Sequence, residues 1–72
     1  MTRADHIAWV KERALEELEG AGGPVGAMTS IISDMTKHEQ TRRDLAFFRA
    51  AGEFTATHPD EARARAFIEA LK

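Results

Sequence analysis

The stretch Ile7-Ala8-Trp9-Val10-Lys11-Glu12-Arg13-Ala14-Leu15-Glu16-Glu17-Leu18-Glu19-Gly20-Ala21-Gly22-Gly23-Pro24 decides the fold. Ile7, Val10, Ala14 and Leu18 recur at helical spacing, and Ala8, Trp9 and Leu15 widen that stripe. Lys11, Glu12, Glu16 and Glu19 fall largely outside it. Three glycines and a proline then break the helix. Gly20 suits the left-handed position just past a helix end, and Pro24 suits the first turn of a new helix. Gly22-Gly23 is a structural turn, because no strand precedes it and no Gly-Lys-Ser/Thr follows, as a phosphate-binding loop would require.

Upstream, Thr2 can cap the helix and Asp5, three places on, completes a capping box. This predicts a first helix over about residues 4–19. Downstream, a second helix is expected over about residues 24–37, with Val25, Met28, Ile32 and Met35 as its stripe and Ile31 beside them. Ala27 would allow a close helix approach. Thr29, Ser30, Ser33 and Thr36 are weak helix formers whose hydroxyls can bond back to earlier carbonyls, so packing must hold this helix.

His38-Glu39-Gln40-Thr41 reads as a connector. Thr41, with Asp44 three places later, would cap a third helix running to about Ala51, where Gly52 stops it. Leu45 and Phe48 would face inward, and Phe54 would sit in the following loop as a lid. Thr57-His58-Pro59-Asp60 supplies a cap, an early proline and a first-turn acid for a last helix over about residues 59–71. Ala62, Ala66, Phe67 and Ala70 form its narrow apolar face, widened by Leu71. The expected architecture is all-α: residues 1–72 as a single small helical domain, with about four short helices in a bundle or orthogonal packing.

A chain of 72 residues without cysteine builds its core from Trp9, four phenylalanines and the aliphatic side chains alone. Association with a second copy would enlarge that core. Ten basic residues against twelve acidic give a net charge of −2, which argues against non-specific phosphate binding as the main activity. No apolar run approaches the roughly 20 residues that span a bilayer, and no signal-peptide pattern follows the N-terminus. No membrane partner is expected, and the expected location is the cytoplasm.

His6, His38 and His58 lack the spacing of a helical zinc motif and are expected in separate solvent-facing or capping roles. Asp34, Lys37 and His38 share a helical edge, and an aspartate four residues before a histidine could orient a general base. No nucleophile accompanies them, so neither an enzyme nor a cofactor or metal site is expected. The edge reads instead as a polar epitope formed by Asp34, Lys37, His38 and Arg42, with Phe47 or Phe54 as the apolar anchor. The alternative is a DNA-binding regulator, with Arg42, Arg43 and Arg49 contacting phosphates from a third helix placed as in a helix-turn-helix.

Trp9-Val10-Lys11-Glu12-Arg13-Ala14-Leu15-Glu16-Glu17-Leu18, the central Ser33-Asp34-Met35-Thr36-Lys37-His38-Glu39-Gln40-Thr41 and the terminal Phe67-Ile68-Glu69 resemble a group of short proteins of uncharacterised function from actinobacterial phages and related prophages. That group has an Arg-Ala-Leu-rich first helix, a Ser-Asp-Leu-Gly-Lys-His-Pro-Glu-Thr-like centre and an acidic Phe-Ile-Glu ending. The match is carried at Ser33, Asp34, Lys37, His38 and Thr41. Met35 replaces a leucine of the pattern, Thr36 its glycine, and Glu39-Gln40 its proline-glutamate. The resemblance implies a phage-derived accessory protein, and the aromatic residues with the polar edge make it one expected to bind a host or phage protein. It implies no catalytic residue.

Overall fold

Side-chain caps start three of the four helices, and one dominant helix–helix contact governs their assembly. The computed structural model describes residues 2–72. In chain order the elements are α1 (Arg3–Glu19), α2 (Gly23–Met35), α3 (Leu45–Ala56) and α4 (Glu61–Glu69), with no strand among the described residues. The capping box forms as expected: the Thr2 hydroxyl accepts from the Asp5 amide at 3.1 Å, and the Asp5 carboxylate accepts from the Thr2 amide at 3.2 Å. That amide holds the Asp5 carboxyl below its usual range.

Between α1 and α2 the left-handed residue is Gly23, at φ 60°, while Gly20 is extended. The expected left-handed stop at Gly20 is therefore displaced by three residues, and Pro24 still occupies the first turn of α2. Glu17 fills the gap below. A Cβ on Gly22 would fall 2.5 Å from its Oε2, so the bare glycine gives that carboxylate room beside the start of α2.

α1 and α2 make the most extensive helix pair, and α4 packs across both while α3 leans on α2. In α1, Ile7, Val10, Ala14 and Leu18 are buried as expected. Ala8 and Trp9, expected to widen the stripe and, for Trp9, to fill the core, are instead exposed, and Leu15 is half-buried. In α2, Met28 and Met35 are buried as expected, but the stripe is rotated about them: Ala27 and Ile31 face inward, whereas Val25 is 71% exposed and Ile32 only half-buried. Ala27 explains the rotation, because a small side chain lets α2 lie close against α1. In α4 the buried pair is Ala64 and Ile68, and Ala62, Ala66 and Ala70 face solvent, correcting the expected Ala62/Ala66/Ala70 face.

The third helix starts at Leu45 because Asp44, not Thr41, is its N-cap, accepting from the Phe47 amide at 3.0 Å. Leu45 consequently points outward at 78% exposure, contrary to expectation. Gly52 lies inside α3 on its exposed side and does not stop it, so Phe54 belongs to the helix and not to a loop. The stop comes at Thr57, followed by His58 at φ 54° and Pro59, which cannot continue a helix. Asp60 then caps α4 by accepting from the Arg63 amide at 2.8 Å. Phe54 stacks on Phe67 at 4.6 Å and joins α3 to α4 through their rings.

Thr41 serves the interior. Its buried hydroxyl donates to the Met35 carbonyl at 2.7 Å and closes the end of α2. Thr41→Val keeps the shape but leaves that carbonyl unpaired, and is expected to cost about 1–3 kcal/mol. Thr41→Ser should cost less in a urea melt. Equal stability of Val and wild type would remove the bond from the account.

Candidate functional site

The residues from Thr36 to Asp44 form a run of turns between α2 and α3, lying over the N-terminal half of α1. Arg3 ties this connector down: it donates to the Gln40 carbonyl at 2.8 Å and pairs with Asp44 at 3.0 Å. The Phe47 amide, despite an opposing contribution from burial, and then Arg3 keep the Asp44 carboxyl below its usual range.

Asp34 is the hub. Its side chain is 1% exposed, and its carboxylate accepts from Arg13 Nε at 2.7 Å, Lys37 Nζ at 2.9 Å and Ser30 Oγ at 3.4 Å. Burial pushes the carboxyl up, but the bonds from Lys37 and Arg13 and their positive charges outweigh it, so the acid lies below its usual range. Arg13 and Lys37 come from different elements and keep 47% and 55% of their side-chain surface in solvent. The buried acid thus holds two half-exposed cations in a fixed place.

An aromatic ladder continues from that pair. Arg13 lies 5.0 Å from the centre of the Trp9 ring, and Trp9 stacks on His6 at 5.6 Å. His6 in turn stacks on His38 at 4.7 Å. His6 is buried, with Nε2 3.1 Å from the Asp34 carbonyl, and His38 Nδ1 accepts from the Gln40 amide at 3.1 Å. The three histidines were expected to lie apart; two of them meet here. Stacked rings do not converge on a common ion, and among the described residues no group of three metal-ligating side chains forms.

Asp34, Lys37 and His38 therefore do gather on one edge, yet the Asp34 carboxylate is committed to cations and does not orient the His38 ring. Arg42 lies farther along the connector, 3.7 Å from Glu39. Phe47 is a core residue, so its ring is not a free anchor. Phe54 is half-buried, stacked on Phe67 and covered by Arg63 at 5.5 Å. Arg42 and Arg43 precede α3, and only Arg49 lies on it, paired with Glu53 at 3.4 Å. The three arginines do not line one recognition helix.

His6, Trp9 and Arg13 were missed as site residues. Their spacing of three and then four residues was visible as a second edge of α1, beside the apolar stripe. The contacts of His6 and Arg13 with residues more than twenty positions away were not. Two concavities flank the region's helices. One of about 380 Å³ is lined mostly by polar and charged residues, among them Arg13, Glu17, Ser30, Ser33, Asp34 and Lys37. A larger one of about 470 Å³, between Pro24, Val25, Met28, Thr55, His58 and Pro59, is apolar and lies away from the hub. The larger has no converging charged groups, so size does not make it the chemical site.

No family model matches the chain, and no curated protein or solved structure resembles it significantly. No described helix is long and apolar enough to cross a membrane.

Proposed function

We propose that the protein is a small helical interaction module, an accessory factor of the phage type acting in the cytoplasm, which grips a host or phage protein with the face formed by Trp9, Arg13, Lys37 and His38. One observation carries this reading: a buried carboxylate fixes two half-exposed cations beside a partly exposed tryptophan. Such preorganisation lowers the entropy lost on docking, and an aromatic ring among cationic donors suits an acidic segment of the partner. Ser33 lines the same polar concavity and offers a further hydroxyl. Arg42 extends the epitope along the connector.

The test uses the tagged full chain on host lysate with and without nuclease treatment, beside Trp9→Ser and Lys37→Gln. A protein retained by wild type and lost by both variants, each with wild-type circular dichroism, is the expected result. Retention by both variants would move the interface elsewhere. Recovery of nucleic acid alone, lost after nuclease, would replace this reading by DNA binding through Arg42, Arg43 and Arg49.

A further inference from the structure

The hydrogen bonds of the stacked histidines define where their protons sit. The Gln40 amide can only donate, so His38 Nδ1 is bare. The Asp34 carbonyl can only accept, so His6 Nε2 carries a proton. A second proton on His38 would therefore turn its acceptor into a donor facing another donor. It would also charge a ring stacked 4.7 Å from a buried imidazole. Protonating His6 at Nδ1 would leave its bond to Asp34 intact, so His38 is the sensitive member.

Neighbouring charges offer little relief. α1 contributes Arg3 and Arg13, α2 contributes Asp34, and the connector contributes Lys37, Glu39, Arg42, Arg43 and Asp44. Asp34 already holds Arg13 and Lys37, Asp44 holds Arg3, and Glu39 meets Arg42. In this set only Glu39 is loosely held, and at 82% exposure water screens its pull on a cation at His38.

We propose that His38 is a proton-operated latch on its own turn of the connector: neutral, it accepts from the Gln40 amide and stacks on His6, and protonated, it opens the turn from His38 to Arg42, while Arg3 and the Thr41 hydroxyl keep the connector attached. Acidification would then dismantle the Lys37/His38 side of the interaction face, a consequence that rests on the reading above. Histidine is the side chain suited to such a switch. Asp34 and Asp44, held below their usual range, stay ionised while it operates.

Amide hydrogen exchange on the full chain, by nuclear magnetic resonance at about pH 7.5 and about pH 5, tests the latch without any partner. Expressed as protection factors, the Gln40, Thr41 and Arg42 amides are expected to lose about tenfold on acidification, while the interiors of α1 and α2 keep theirs. His38→Asn offers an acceptor oxygen and cannot take a proton, so its connector should show no such pH dependence. Unchanged wild-type protection would overturn the proposal, as would an equal loss in His38→Asn. Because no partner enters the measurement, a failed latch is distinguishable from a failed interaction surface.

Discussion

Ile31→Ala is expected to destabilise the fold by about 2–5 kcal/mol, the largest effect of any single truncation considered. Ile31 has no exposed surface and sits where α2 meets the Ile7, Val10 and Ala14 stripe in one core cluster. Removing its outer carbons loses their transfer free energy and leaves a hole that two short helices cannot fully collapse around. A domain of this length has roughly 4–11 kcal/mol in total, from about 0.05–0.15 kcal/mol per residue. The variant should therefore melt at least about 10 °C lower, or not fold at all. Val25→Ala is the control. Val25 lies on the same helix but in solvent, so its loss should fall within about 0.5 kcal/mol of wild type. Thermal melts followed by circular dichroism rank the two. A reversed ranking would mean that α2 presents its Val25–Ile32 side to the core, as its larger side chains alone suggest.

The choice between those faces shows where reading the sequence stops. Met28 and Met35 belong to either face, and size chooses only Val25 over Ala27. The interface instead requires a small residue, and Ala27 brings Ile31 rather than Ile32 inward with it. α1 was legible because its cap, its stripe and its glycine stop are all local, and the stripe is long enough to leave one register. The starts of α3 and α4 each offered two capping side chains three residues apart: Thr41 or Asp44, and Thr57 or Asp60. Tertiary structure decides both. The Thr41 hydroxyl is used inside, on the Met35 carbonyl, and Thr57 terminates α3. Gly52 reads as a stop, but an exposed glycine costs a helix only about 1 kcal/mol. Flanking packing by Phe47, Ala51 and Phe54 carries α3 past it.

The candidate site divides the same way. Asp34 and Lys37 are neighbours three apart on one helical edge, so their pairing was visible. Arg13 reaches Asp34 from 21 residues away and His6 from 28, contacts that exist only once α1 lies on α2. The local reading therefore placed the carboxylate beside His38. The fold gives it to an arginine instead, and gives the imidazole another imidazole.

Asp34→Ala is the second large effect, at about 2–3 kcal/mol near neutral pH. Three donors lose their acceptor, but Arg13 and Lys37 are half-exposed and rehydrate, which keeps the cost below that of an orphaned buried charge. The pH dependence identifies the cause. The folded-state acid lies below its unfolded value, so its contribution is complete above the ordinary carboxylate range and is lost as pH falls through the folded-state value. Urea unfolding of wild type and Asp34→Ala at about pH 7 and about pH 3 should show the gap between them narrowing with acid. Asp5 and Asp44 shift in the same direction, so wild type and variant alike should keep part of the acid limb. A gap that stays constant would assign the loss to packing. Asp34→Asn separates stability from recognition: it keeps the shape and one acceptor oxygen but removes the charge that fixes both cations. Partner capture should therefore fall more than folding stability does. Loss of stability with capture intact would leave Asp34 a structural residue and return the interaction face to Trp9 and His38 alone.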